Sequence, residues 1–140
     1  MKSKRFKWAM ILAALPVSLM LYSLKPVAEV VPDADNAGLK LPAGFGALKV
    51  AETAAKARHL VVTAQGDIYV KLAKPNKEGK GILVLHEAPN GKAELKTSFG
   101  TYGGTEVYLK NGYLYASSNT EVFRYKVNDK NEVTNPDQPE

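Results

Sequence analysis

One short unit, a strand followed by a glycine-containing turn and a second strand, occurs twice in the chain. The first copy covers residues 60–70 and the second covers residues 107–116. Superposing the turn glycines also superposes Tyr69 and Tyr115, which lie 46 residues apart. Units of a few antiparallel strands that recur roughly every 40 to 50 residues are typical of β-propeller blades. The sequence therefore predicts an all-β chain made of antiparallel β-propeller blades.

The strands around the two hairpins indicate how many blades are present. The apolar residues 81–86 and the alternating residues 94–99 complete a four-stranded blade that starts at about residue 60. Asn111-Gly112 gives a strong type I′ turn signal, and residues 121–127 add a third strand to the second blade. We therefore predict a partial propeller domain of about two blades over residues 41–140, because a closed propeller needs at least about four. A small open sheet that stands alone is the alternative.

The formal net charge of +5 comes from the N-terminus. Five of the 19 basic residues precede the first acidic residue, Glu29, and the remaining 14 stand against 14 acidic residues. Nucleic-acid-binding domains carry clustered Lys and Arg on their recognition face. Because the rest of the chain is neutral in sum, we predict no nucleic-acid partner. The absence of cysteine excludes disulfides and thiolate metal sites.

Residues 1–25 have the pattern of an export signal. Basic residues up to Lys7 precede 17 uncharged residues, from Trp8 to Leu24, and Lys25 ends the run. A secretory apolar region is usually about 7 to 15 residues long, and a membrane-spanning helix needs about 17 to 25. We therefore predict either a cleaved signal peptide or an N-terminal hydrophobic helix that anchors the chain in the inner membrane. In both cases the body is exported to the periplasm or out of the cell.

Residues 26–40 are predicted to be a linker, because they combine prolines and acidic residues with little apolar periodicity. Residues 33–38 match the first half of a calcium-binding loop, but Gly44 stands where a bidentate glutamate is required. A solvated linker is therefore favoured over a calcium site, and no metal ligand is predicted. A short alternating strand is expected next, at residues 47–51.

Few side chains are candidates for catalysis. His59 and His86 are the two histidines of the chain, so a three-histidine metal site is excluded. Neither has a Ser, a Cys or a carboxylate at the spacing of a known catalytic motif. Structural or surface roles are therefore favoured for both.

Two further groups of residues could contact a ligand. Tyr69, Tyr113, Tyr115 and Tyr125 could stack on a sugar, but their positions inside strands favour packing between blades. By strand alternation, Arg124 faces opposite to its two neighbours.

The Gly103-Gly104-Thr105 turn joins the two predicted blades. Loops between blades gather around the central channel, where ligands bind, and small residues there let a ligand approach the backbone. We predict these three residues as candidate cofactor-binding residues, with a flexible joint between blades as the alternative.

Several segments follow one another in a recognisable order over residues 39–127. They are Leu41-Pro-Ala-Gly-Phe; Arg58-His-Leu-Val-Val with Gly66-Asp-Ile-Tyr-Val; Ile82-Leu-Val-Leu with Asn90-Gly-Lys-Ala-Glu; and Gly103-Gly-Thr with Gly112-Tyr-Leu-Tyr and Val122-Phe-Arg-Tyr. In this order they resemble the N-terminal part of the soluble glucose/sorbosone dehydrogenase family. Members of that family are exported six-bladed propellers that oxidise sugars or aldoses with pyrroloquinoline quinone, commonly together with calcium.

The resemblance implies that the full-length protein transfers a hydride from a sugar or aldose substrate to the quinone. The histidine that serves as general base in the family would lie beyond Glu140, and neither His59 nor His86 stands at its place. We therefore expect no cofactor to bind this chain alone, no activity from it, and the remaining propeller blades as partners. One alternative is a non-catalytic, membrane-tethered propeller module that binds a protein or a glycan. Another is a degraded gene product that does not fold stably, because an open propeller leaves a strand edge unpaired.

Overall fold

The structure, a computed structural model, describes residues 29–53 and 55–140. In this part of the chain seven strands form two antiparallel sheets, and the one helical element is a 3₁₀ turn at Asn36–Gly38. The strands are β1 (Ala57–Val62), β2 (Asp67–Leu72), β3 (Ile82–Glu87), β4 (Ala93–Phe99), β5 (Val107–Lys110), β6 (Tyr113–Ser117) and β7 (Val122–Lys126). The predicted all-β class is confirmed. The predicted signal peptide or N-terminal helix, residues 1–25, lies outside the described residues.

The first sheet is a meander in which β1, β2, β3 and β4 are hydrogen-bonded in chain order. The four-stranded unit predicted to start at residue 60 is confirmed, and its first strand begins at Ala57. Residues directly opposite one another across the strands form rows on each face. One face carries the row Val61, Tyr69, Val84 and Thr97, and the other carries Val62, Ile68, Leu85 and Leu95.

The second sheet pairs β5, β6 and β7, again in chain order. Its first hairpin turns at Asn111 and Gly112, whose φ angles are 49° and 78°. A type I′ turn needs positive φ at both central residues, which asparagine and glycine adopt at little steric cost. The turn predicted here is therefore confirmed.

The second sheet packs on one face of the first, called the covered face below. The shared core consists of Tyr69, Ile82, Val84 and Phe99 from the first sheet and Val107, Leu114, Ala116, Tyr125 and Val127 from the second part of the chain. Phe99 lies edge-on to Tyr69 and Tyr125, with ring centroids 6.4 and 4.9 Å apart. Edge-to-face aromatic pairs add to the stabilisation from burial alone.

The opposite face of the first sheet is also apolar. It carries Ile68, Val70, Leu72, Leu83 and Leu85, and Ala51 and Ala55 pack against it. A cavity of about 240 Å³ remains beneath this cover. Leu60, Val62 and Leu95 on the same face stay more than half exposed. A sheet face that is exposed to water normally carries polar residues. Because this face is apolar, it is suited to a further apolar layer.

The strand predicted at residues 47–51 does not form. The structure describes all five residues and shows no strand there, so this prediction was wrong. The segment pairs instead with a loop and with the start of β4. The Asp33 N–H donates to the Ala47 carbonyl (2.9 Å), and the Ala93 N–H donates to the Val50 carbonyl (2.7 Å). The Lys92 Nζ then donates to both the Asp33 carboxylate (2.7 Å) and the Lys49 carbonyl (2.9 Å). Backbone and side-chain hydrogen bonds to distant parts of the chain thus replace a strand ladder.

The C-terminal residues 128–140 lie along the free edge of β7, although the sequence shows no apolar pattern there. Val127 forms a β-bridge with Val133. Arg124 and Glu140 exchange two backbone hydrogen bonds of 2.9 Å. The segment therefore occupies, in irregular form, the position of a fourth strand beside β7.

Candidate functional site

The loop between β4 and β5 contains the predicted cofactor-binding residues Gly103, Gly104 and Thr105. A Cβ on Gly104 would stand 1.8 Å from the Ser117 carbonyl oxygen, and one on Gly103 would stand 2.3 Å from that of Ala73. Both positions are therefore too close to the protein's own backbone for a side chain. This packing accounts for the two glycines, while Thr105 is exposed. A cofactor contact at this loop stays a prediction.

Lys71 lies buried directly beneath this loop. Its Nζ donates to the Tyr102 carbonyl (2.6 Å) and to the Gly81 carbonyl (3.4 Å), and it lies 4.1 Å from the centre of the Tyr102 ring. Burial lowers the pKa of Lys71 to about 8, because a desolvated ammonium group is disfavoured. The sequence analysis missed Lys71. Strand alternation in β2 does place it on the same face as Tyr69, in a position that is otherwise apolar.

Two hydroxyl groups meet beside Lys71. The Tyr102 and Tyr125 hydroxyls are 3.0 Å apart, and the Tyr102 ring lies on Phe123 with centroids 4.3 Å apart. Burial raises the pKa of both tyrosines, and the hydrogen bond to Tyr125 raises that of Tyr102 further. Both phenols therefore stay neutral and act as hydrogen-bonding groups that join the loop to the second sheet.

The two histidines are each paired with a carboxylate. The His59 Nδ1 lies 2.5 Å from Glu106, and the pair is exposed. The His86 Nδ1 lies 2.7 Å from Asp67, whose side chain is only 4% exposed, while His86 itself is 56% exposed. A carboxylate on Nδ1 orients the ring and leaves Nε2 toward solvent. The structural or surface role predicted for both histidines stays a prediction.

Asp67 also belongs to a network that joins the two parts of the molecule. The Lys96 Nζ lies 3.0 Å from Asp67 and 2.8 Å from Glu132, which follows the second sheet. Those two carboxylates raise the pKa of Lys96, with the hydrogen bond to Glu132 as the larger cause. The network borders a cavity of about 250 Å³ that Tyr69 and Val133 also line.

The four tyrosines considered as a sugar-stacking set are not brought together. Tyr69 and Tyr125 are buried in the shared core, in agreement with the predicted packing role. Tyr113 and Tyr115 lie half-buried on the outer face of the second sheet, with ring centroids 6.2 Å apart. Arg124 lies on that same outer face, over the Tyr113 ring at 4.7 Å. Its predicted orientation, opposite to its two neighbours, is confirmed.

Residues 33–38, which match half of a calcium loop, use their polar atoms within the protein. The Asp33 carboxylate accepts from the Lys49 N–H (2.7 Å) and from Lys92. The Asn36 side-chain oxygen accepts from the Ala47 N–H (3.1 Å). Among the residues that the structure describes, no group of three or more histidine, aspartate or glutamate side chains is placed to hold a metal ion.

The chain was compared with known proteins in three ways. Neither protein-family models, nor curated proteins, nor solved structures gave a match to the chain. Over residues 29–53 and 55–140, no helix is both long and apolar enough to cross a membrane.

Proposed function

We propose that the chain supplies the first two blades of an exported, quinone-dependent sugar dehydrogenase-like propeller. The observation that carries this proposal is that both faces of the first sheet are apolar. Propeller blades pack face to face around an axis, so an internal blade needs an apolar surface on each side. The second sheet covers one side, and the other is suited to a neighbour from the remaining blades.

The outer face of the second sheet supports the same arrangement. Tyr115 is the repeat equivalent of Tyr69, and Tyr69 is buried where the second sheet covers the first. Tyr115 lies on the side of β6 that faces away from the shared core. Its neighbour Tyr108 is 58% exposed. The repeat therefore favours a third sheet on this outer face.

The chemical part of the proposal rests on the resemblance of residues 39–127. The backbone that crowds Gly103 and Gly104 already explains these glycines, so they give no independent support for a cofactor contact at this loop. We therefore expect the quinone, the calcium ion and the general-base histidine to be held by loops of the remaining blades. The role of the present residues is to position those loops and to fix the blade register.

The test is a longer polypeptide. If the reading frame continues for about 250 residues beyond Glu140, the product should be expressed with pyrroloquinoline quinone and calcium. The measurement is sugar-dependent reduction of a dye. We expect turnover from the long protein and none from residues 1–140. A stop codon after Glu140, or a long protein without quinone-dependent dye reduction, would overturn the proposal.

A second candidate is a non-catalytic, membrane-tethered module that binds a protein or a glycan. It is favoured by the histidines, because each is engaged with a carboxylate of the scaffold. Under this alternative, the protein binds its partner without quinone or calcium and reduces no dye. A glycan array and a pull-down, both in the presence of a chelator, would detect that binding.

A further inference from the structure

Four basic side chains line one groove at the edge of the first sheet. Lys56 directly precedes β1, Arg58 is its second residue, and Lys74 and Lys77 come from the loop between β2 and β3. The groove has a volume of about 680 Å³. It is called the basic groove below. The net charge of residues 26–140 gives no sign of it, because their 14 acidic residues balance 14 basic residues, these four included.

The basic groove contains four cations without a carboxylate among its lining residues. Within residues 29–53 and 55–140, none of the ion pairs involves any of the four. Glu52 and Glu78 line the neighbouring cavity, which shares Lys77 with the basic groove. Like charges that share a concave surface raise its positive potential, and an anion in the groove lowers that energy.

The position of Arg58 is set by a β-bulge. The pairing of β1 with β2 shifts between Ala57 and His59, so Arg58 is the additional residue of the bulge. A bulge re-aims the side chain of its extra residue and is frequent beside binding sites. The Ala73 N–H donates to the Lys56 carbonyl (2.9 Å) and holds the two sides of the groove together.

The loop that carries the two other lysines is also fixed by hydrogen bonds. The Asn76 side-chain oxygen accepts from the Glu78 N–H (3.1 Å) and from the Lys80 N–H (2.8 Å). The Asn76 N–H donates to the Lys80 carbonyl (2.8 Å). An ordered loop presents its charges at lower entropic cost than a mobile one.

We propose that the basic groove binds a small anion with two or more negative charges, of the organic phosphate or polycarboxylate type. Arg58 offers a planar fork that matches carboxylate and phosphate oxygens, and the lysines act as point charges around it. The volume lies within the range of about 300 to 1,000 Å³ that is usual for small-ligand sites. The site does not depend on the proposed dehydrogenase activity, since all four residues lie in this chain.

The test is titration of the full 140-residue chain, in a non-ionic detergent, with pyrophosphate and separately with citrate. Isothermal titration calorimetry at low and at physiological salt gives the affinities. We expect saturable binding that weakens with salt. The two ligands distinguish phosphate from carboxylate chemistry. The double variant Arg58→Glu/Lys74→Glu should bind about tenfold more weakly or worse.

The matched control is Lys110→Glu/Lys126→Glu, on the second sheet, which changes the net charge by the same amount. It should stay within about twofold of the unsubstituted chain. Equal weakening in both double variants, or no saturable binding by the unsubstituted chain, would overturn the proposal. Circular dichroism checks folding. If the charge-reversed variant does not fold, Arg58→Gln/Lys74→Gln takes its place, with Lys110→Gln/Lys126→Gln as its control and the same outcomes expected.

Discussion

At the residue scale, the protonation of Lys71 is linked to folding. Its amine has two carbonyl acceptors and an aromatic ring, and burial lowers its pKa to about 8. In the unfolded chain the same amine has a pKa of about 10.4. Between these values the unfolded state binds more protons than the folded state, so stability rises with pH. Below pH 8 the buried charge imposes its full cost.

The Lys71→Met variant tests this linkage. In the unsubstituted chain, Lys71 alone should raise the free energy of unfolding by roughly 1 to 2 kcal/mol between pH 8 and 9.5. The variant should lack that increase, because methionine does not titrate. Urea unfolding at several pH values measures the difference. Lys110→Met, at an exposed position, should keep the increase, and equal slopes in the unsubstituted chain and Lys71→Met would contradict the expectation.

Gly104 gives the second prediction at this scale. Gly104→Ala places a methyl group 1.8 Å from the position of the Ser117 carbonyl oxygen, so the junction between the sheets must move. We expect a loss of about 3 kcal/mol in the free energy of unfolding, as for other severe backbone clashes. Thr105→Ala, one residue further on and exposed, should change stability by less than about 0.5 kcal/mol. Normal stability in Gly104→Ala would revive a ligand-based reason for the glycine.

At the scale of elements, the C-terminal residues 128–140 connect the two sheets. The Tyr69 hydroxyl donates to the Asn131 carbonyl (2.7 Å) and accepts from the Val133 N–H (3.3 Å). Lys96 adds an ion pair with Glu132 on the same turn. A segment with no apolar periodicity is thus ordered by contacts with β2 and β4.

The Tyr69→Phe variant removes both hydrogen bonds and keeps the ring in the core. The Asn131 carbonyl and the Val133 N–H then lose their partner, which should cost about 1 to 2 kcal/mol. Urea unfolding gives the stability, and hydrogen exchange should show a faster Val133 amide. Tyr108→Phe, on an exposed side chain, is the control and should change neither. An unchanged Val133 amide in Tyr69→Phe would show that the segment is held by other contacts.

The elements that could be predicted from the sequence are those with local causes. Strand alternation and the Asn111-Gly112 turn depend on neighbouring residues, and seven strands follow from such signals. The segment at residues 47–51, where a strand was wrongly predicted, lies beside the contact of Lys92 with Asp33, which are 59 residues apart. The C-terminal segment is held by the contact of Tyr69 with Val133, which are 64 residues apart. No local pattern encodes those contacts.

The same distinction applies to the candidate sites. The Gly103-Gly104 loop was found because glycines stand out in a sequence, but the backbone that crowds them comes from distant strands. The basic groove was missed because its two pairs of cations come from different segments and a β-bulge aims Arg58. A net charge summed over the chain does not show where positive side chains cluster in the folded protein.

At the scale of the whole molecule, equivalent positions of the repeat lie on a buried face in the first sheet and on an open face in the second. Tyr69 lies on the covered face, and its equivalent Tyr115 lies on the outer face of the second sheet with Val122 and Arg124. Val122 is 71% exposed. If a third sheet follows in the full protein, it should pack on this outer face as the second sheet packs on the first.

The Val122→Lys variant tests whether the outer face of the second sheet is always exposed or becomes covered in a longer protein. In residues 1–140 the substitution should change the free energy of unfolding by less than about 0.5 kcal/mol, because the side chain is exposed. In a polypeptide that includes the following blade, it should cost about 2 kcal/mol or more, because a charge is then buried without a partner. Thr120→Lys, in the exposed turn before β7, should be neutral in both. A neutral Val122→Lys in the longer protein would place the next sheet elsewhere, and the repeat would then not extend past β7.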